Sequence, residues 1–184
     1  YKRQVVDTDE QPGNARPEKI PHLRPAFARD GTVTAANSSS ISDGASALVL
    51  MRESDAASRG LKPMARIVAH TTQSQHPSKF TTAPVGALRQ LFDRTGWQLS
   101  DIDLFEINEA FAMVAMMPIR EFGLDHARVN VHGGACALGH PVGSSGSRIL
   151  VTLLHALRRY DKQRGVASLC IGGGEATAMA VEMI

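Results

Sequence analysis

Apolar and polar positions along the chain fall into two rhythms. In VGALRQLFDRTG (85–96) Leu88, Leu91 and Phe92 recur at three- and four-residue spacing, which predicts an amphipathic helix. MARIVAHTT (64–72), DIDLFEI (101–107), GVASLCI (165–171) and ATAMAVEMI (176–184) are short, apolar and rich in β-branched residues, which predicts strands, the last two joined by Gly172, Gly173 and Gly174. ESDAASRG (53–60) predicts a short helix stopped by Gly60. A further helix is expected over 109–121, then a glycine-rich connection over 132–146. The last helix runs over 144–160, where Ile149, Leu150, Val151, Leu153, Leu154 and Leu157 cover most of the circumference and predict burial on all sides. GTVTAANSSSISDGASALVLM (31–51) predicts a loop feeding a short helix and a buried strand ending near Met51. Strands alternating with helices imply a layered α/β fold.

Residues 1–30 follow neither rhythm. They hold four of the nine prolines, Pro12, Pro17, Pro21 and Pro25, and read as an extended excursion held by something outside this chain. Forty-three per cent of the 184 residues are apolar but only 5% aromatic, so the core is built from Ala, Val, Leu, Ile and Met. Twenty basic against 18 acidic residues, with no basic run interleaved with aromatics, speak against a nucleic-acid partner. No apolar run reaches membrane-spanning length, which predicts a soluble protein with no membrane partner. The two cysteines, Cys136 and Cys170, read as reduced intracellular thiols rather than a disulfide scaffold.

Three turns between elements hold one polar or reactive group among small residues: NEAFA at Asn108, GHP at His140, and CIGGG at Cys170. Asn108 follows a strand and precedes a helix. It reads either as an N-cap or as an amide that polarises a carbonyl or orients a water. His140 is either a satisfied structural histidine or a proton carrier, left approachable by glycine at 139 and 143. Cys170 ends an apolar strand, where a buried inert thiol is usual. The three glycines after it instead expose backbone N–H groups to a ligand, and a neighbouring histidine would lower its pKa into a useful range. Cys136 lacks such a setting and reads as packing. The other six histidines show no metal-ligand spacing with the cysteines, so no metal is expected.

In order and separation, NEAFA, NVHGGACALGHPVGSSGSRIL and CIGGGEATAMAVE resemble the thiolases, the acetyl-CoA acetyltransferases and 3-ketoacyl-CoA thiolases. VDTDEQP, LRPAFARDGTVTAANSSSISDGA and DIDLFEINEAF are similar to that family as well, so the likeness covers essentially the whole chain. It implies a mixed sheet with helices on its faces, the second half of a duplicated fold. On that map residues 1–41 correspond to the end of a loop domain, 42–61 to the closing elements of the N-terminal half, and 62–184 to the C-terminal domain. The resemblance makes Cys170 the acid/base cysteine and His140 the histidine that activates the nucleophilic cysteine and holds the thioester oxygen. It makes Asn108 the amide that fixes a water in the same oxyanion site, and the Gly172 N–H half of a second one. Ser39 and Phe111 correspond to residues lining the pantetheine and acyl pocket. Coenzyme A would be a substrate, with no resident cofactor, and a homodimer or tetramer is implied.

His132 stands where many relatives carry Asn, and GGGEATA departs from the commoner GGGxGxA, which leaves acyl-chain preference open. Nothing in the chain matches the family's nucleophilic cysteine, since Cys136 falls inside GGACALGHP. The expectation is a C-terminal part that needs its N-terminal half as partner to complete the ping-pong cycle. A non-catalytic CoA-binding protein of the same fold is the alternative; a ketoacyl synthase fits the NEAF and CIGGG pairing poorly. The expected location is bacterial cytoplasm, or an organelle matrix.

Overall fold

Four strands form the sheet, in the order β1 (Ala65–Ser74), β4 (Glu175–Met183), β3 (Arg164–Ile171), β2 (Leu104–Ile107). The computed structural model describes residues 5–184. β4 runs antiparallel to both neighbours, whereas β2 and β3 are parallel, with Leu104 opposite Gly165 and Ile107 opposite Ser168. A parallel pair needs a long crossover. Here the crossover carries α4 (Ala112–Phe122), α5 (Ala135–Leu138) and α6 (Ser145–Arg159).

Side-chain alternation along each strand sorts the core into two layers. On one face Phe105, Ile107, Val166, Ala176, Ala178 and Ala180 meet Ala87, Leu88 and Leu91 of α3 (Ala83–Thr95). On the other, Leu104, Ala167 and Val181 meet Ile149, Leu153, Ala156 and Leu157 of α6. α3 ends where Gly96 takes φ +69° and its N–H returns to Phe92 O.

Several expectations need correction. α6 is buried along one stripe only; Leu150, Val151 and Leu154 are half-buried and His155 is exposed, because one sheet face covers one side of a helix. The helix expected from 109 begins at Ala112, and the glycine-rich connection contains α5. The strand expected to end near Met51 does not form: Val49 is 85% and Leu50 70% exposed, and none of the four strands pairs with them. Apolar sequence alone does not make a strand without a neighbour to complete its ladder. α2 (Glu53–Ser58) follows, with Gly60 just beyond it at φ +65°.

The chain divides into two units, one ending at Ala36 and one spanning Asn37–Ile184. Within the first, the proline-rich stretch is not wholly extended: α1 (Glu10–Asn14) is capped by Asp9, whose carboxylate accepts from Gln11 N–H, and a 3₁₀ turn covers Pro17–His22.

Candidate active site

The two parallel strands end side by side. Asn108 leaves β2 with its backbone N–H donated to Ser168 O at 2.9 Å, two residues before Cys170 on β3. The carboxyl ends of parallel strands are where open α/β sheets display ligand-binding groups. Asn108 is 1% exposed and is not the cap of α4, which starts four residues later, at Ala112, with Phe111 as its N-cap.

His140 reaches this point from the other end of the crossover. A clamp holds its turn: the His140 N–H donates to Ser40 O at 2.9 Å, and Ile41 forms a parallel bridge with His140. Gly139 sits at φ +89°, and a Cβ there would fall 2.2 Å from Ser42 Oγ. That glycine therefore makes room for the 38–42 segment rather than for the imidazole, whereas Gly143 faces open space.

Hydrogen bonds fix the orientation of the polar groups. Ser145 Oγ–H donates to Pro141 O at 3.0 Å, so at its 2.5 Å contact with His140 Nδ1 the hydroxyl accepts and Nδ1 carries the proton. On the other side Arg148 Nη2 can only donate, and lies 3.4 Å from Asn108 Oδ1. The Asn108 amide nitrogen consequently faces His140 Nε2, at 3.4 Å, and donates to it. A single run of donors results, from Arg148 through Asn108 to the imidazole, and from the imidazole through Ser145 to a backbone carbonyl. Burial, then the Arg148 charge, lowers the His140 pKa. Near neutral pH the ring is uncharged, with Nε2 as its basic atom.

Cys170 is 7% exposed, and burial pushes its thiol up to about 11. The expected lowering by a neighbouring histidine is absent, and among the described residues no hydrogen bond joins Cys170 to His140 or Asn108. An apolar strand end disfavours the thiolate more than an uncharged imidazole can favour it. Of the three glycines beyond it, Gly172 faces open space. Gly174, at φ +105°, is pressed by the backbone of 75–77, a Cβ there lying 2.2 Å from Gln75 O.

Ser39 Oγ–H donates to Ala110 O at 2.9 Å, Ser38 bridges Phe111, and the Phe111 ring meets Phe80 edge-on at 6.2 Å. Both residues thus belong to the seam between the 38–42 segment and the NEAFA loop. Beside the His140–Pro141 turn a cleft of 390 Å³ is lined by Ser42, Gly44, Ser46, Val142 and Ser147. A cavity of 900 Å³ lies at the opposite, amino end of β2, beside Asp103, Tyr160 and Lys162, away from these groups.

Four further polar side chains touch or flank these groups without any signal in the sequence. Glu109 accepts from Asn130 Nδ2 and Cys136 N–H, each at 3.1 Å, and so ties the NEAFA loop to the glycine-rich connection. Burial and Glu109 together raise the Cys136 thiol to about 11, in keeping with a packing role. Ser145, Arg148 and Glu106 were missed because an ordinary serine on a helix, an arginine ending a small-residue run, and a glutamate inside a strand carry no signal until the fold brings them together. Among the described residues no group of three or more His, Cys, Asp or Glu is placed to hold a metal ion.

Comparison with known proteins gives concordant results. The family model described as "Thiolase, C-terminal domain" matches residues 61–183, and "Thiolase, N-terminal domain" matches 1–54. Acetyl-CoA acetyltransferase of Allochromatium vinosum is 49% identical over 179 residues, 97% of this chain and 45% of that protein. The cytosolic acetyl-CoA acetyltransferase of Mus musculus is 52% identical over 167 residues, 90% of this chain and 42% of the relative. Among solved structures, the acetyl-CoA acetyltransferase of Bacillus anthracis superposes with a TM-score of 0.92 at 41% identity, covering 100% of this chain and 48% of that one. A thiolase of Ascaris suum solved in complex with coenzyme A gives 0.86 at 43% identity, covering 97% of this chain and 47% of that one. The chain thus spans less than half the length of each of these relatives, and it belongs to the thiolase family.

Proposed function

We propose that the chain is the C-terminal portion of an acyl-CoA C-acyltransferase that cleaves 3-ketoacyl-CoA with free CoA and runs the reverse Claisen condensation of acetyl-CoA. The observation that carries this reading is the pairing of Asn108 with an uncharged His140 at the carboxyl end of β2, beside the strand that carries Cys170. Removing a proton from the α-carbon of a thioester needs a strong base and donors aimed at the developing enolate oxygen. A thiol held near 11 is protonated at rest and becomes a strong base once deprotonated. In thiolysis a cysteine thiolate attacks the 3-keto carbon and the C2–C3 bond breaks. Its electrons form the enolate of acetyl-CoA, and Cys170 S–H delivers a proton to C2. Free CoA then gives its thiol proton to the Cys170 thiolate and displaces the acyl group from the nucleophilic cysteine, whose sulfur takes its proton back from His140. His140 Nε2 takes the proton of the attacking thiol; the imidazolium then donates to the thioester oxygen beside the water held by Asn108. The Gly172 N–H serves the tetrahedral intermediate, and Ser39 and Phe111 line the pantetheine and acyl path.

The nucleophilic cysteine is assigned to an N-terminal half outside this chain, because neither Cys136 nor Cys170 has the setting for it. Two features support such a partner. Val49, Leu50, Leu61, Met64, Ile67 and Ile184 leave apolar surface exposed around a groove of 730 Å³, and the relatives are about twice as long as this chain. On this reading CoA is a substrate, no resident cofactor is invoked, the assembled enzyme is a homodimer or tetramer, and it works in a cytoplasm or organelle matrix. The test is to supply the N-terminal half and assay acetoacetyl-CoA cleavage by CoA, with C170A and H140A alongside. Turnover in the assembled protein that both variants abolish supports the assignment; full turnover in C170A removes that thiol from the mechanism. CoA binding without any turnover in the assembled protein would instead identify a non-catalytic CoA-binding protein.

A further inference from the structure

Behind Asn108, on the same face of β2, lies Glu106. Its side chain is among the fully buried ones, and Oε1 has no hydrogen-bond partner. Arg148 enters the same layer from the first turn of α6, giving Nη2 to Asn108 Oδ1 while Nε and Nη1 are buried without partners. Such groups are costly: a buried polar or charged group that lacks its hydrogen bonds is commonly less stable than an apolar residue of the same volume. The surrounding layer, with Leu104, Ile149 and Leu153, is apolar and would accept such residues. Packing therefore gives no reason for the guanidinium, and its one polar contact to the site, with Asn108, does.

We propose that Arg148 is a positioning residue whose guanidinium sets which way round the Asn108 amide sits, and thereby which nitrogen of His140 holds the proton. An amide is nearly symmetric in shape, so packing alone does not choose between Oδ1 and Nδ2. A neighbour that only donates does choose. With Arg148 replaced by an apolar residue the amide is free to turn over, Oδ1 then faces Nε2, and the proton must move there from Nδ1. Ser145 would turn from Pro141 O to donate to the vacated Nδ1, and Nε2 would no longer be the base. Arg148 also acts on the ring through its charge. The groups facing His140 are Arg148 and Ser145 from α6, Asn108 at the end of β2, and the Ser40 carbonyl from the 38–42 segment. Behind them stand Glu106 and Glu109, and the Glu106 carboxyl feels both Arg148 and Glu109.

This inference rests on the proposed roles of Asn108 and His140, so its test includes a readout that does not require turnover. In the assembled two-half protein, the rate of His140 modification by diethyl pyrocarbonate is followed against pH by peptide mass, which reports the pKa of the ring. R148M is expected to raise that pKa toward the ordinary histidine value and to lower kcat by about a hundredfold, the cost of a misplaced reacting group, with KM little changed. R148K is expected to return the pKa below the ordinary value and to recover part of kcat, since it restores the charge but not the planar fork. If R148M does not fold, R148Q, which keeps amide donors without the charge, is judged by the same two readouts. An unshifted His140 pKa in R148M or R148Q, or a pKa that R148K fails to restore in a folded protein, overturns the proposal. Absence of thiolysis in the unsubstituted protein would overturn the proposed reaction and leave the modification profile still decisive for Arg148.

Discussion

The Asn108 amide nitrogen lies 3.4 Å from Nε2 of His140, although 32 positions separate the two residues. That contact, oriented by Arg148 on one side and Ser145 on the other, makes Nε2 the basic atom of the ring. N108D replaces the donor with a carboxylate. An anion beside the imidazole favours its charged form, so the pKa of His140 should rise, while the loss of one hydrogen-bond donor should lower kcat by roughly 10²–10³-fold. Turnover of the assembled enzyme together with the pH profile of His140 modification checks both. A lower His140 pKa in N108D would contradict the assigned amide orientation.

Cys170 offers a prediction about exchange. If this thiol handles the α-proton, the assembled enzyme should wash deuterium from solvent into the methyl group of acetyl-CoA, and C170S should slow that exchange by about 10²–10⁴-fold, the range of a positioned acid/base group. A serine hydroxyl is a far weaker acid, so it holds its proton where the thiol releases it. Because burial holds the thiol near 11, its alkylation in the free enzyme should still be accelerating above pH 9, later than an ordinary cysteine. Exchange at the parental rate in C170S would exclude the role.

Much of this was legible in the sequence because it is local. All four strands and the α3 helix announce themselves in the sequence pattern, and the three small-residue turns mark Asn108, His140 and Cys170. The strand expected near Met51 failed because burial was inferred from composition, whereas a strand is completed by a neighbour, and none is present for Val49 or Leu50. α6 was over-read for a related reason: six apolar residues show which positions can be buried, not how many faces find cover. Glu106, Glu109, Ser145 and Arg148 were invisible because their roles consist of contacts between elements far apart in sequence. The reason for Gly139 was also hidden, since Ser42, which fills the space, lies almost a hundred residues away.

Gly139 can be tested directly. Alanine there must adopt a positive φ and place its Cβ against Ser42. The two effects together should cost on the order of 1–3 kcal/mol, with displacement of the His140 turn. Chemical denaturation of G139A should show the loss, and H140-dependent turnover should fall with it. G143A makes the control, because nothing lies within 4 Å of a Cβ at that position. Equal destabilisation of both variants would show that the Ser42 clamp is not the reason for the glycine.

Glu106 makes a prediction with a definite sign. Its carboxyl is raised from 4.5 to about 8, first by burial, against the attraction of Arg148 and with a contribution from Glu109. Between those values the unfolded chain releases a proton that the folded one retains, so stability is lost as pH rises through this window. The slope is up to ~1.4 kcal/mol per pH unit from this one group. E106Q cannot ionise and escapes that loss. The stability of E106Q relative to the parent should therefore increase steadily from about pH 5 to pH 8 and level off above. A guanidinium denaturation series across that range measures it. The opposite trend, with the parent gaining on E106Q as pH rises, would mean that Glu106 is ionised in the fold and bound to Arg148, which its unpartnered Oε1 and the unpartnered Nε and Nη1 of Arg148 argue against.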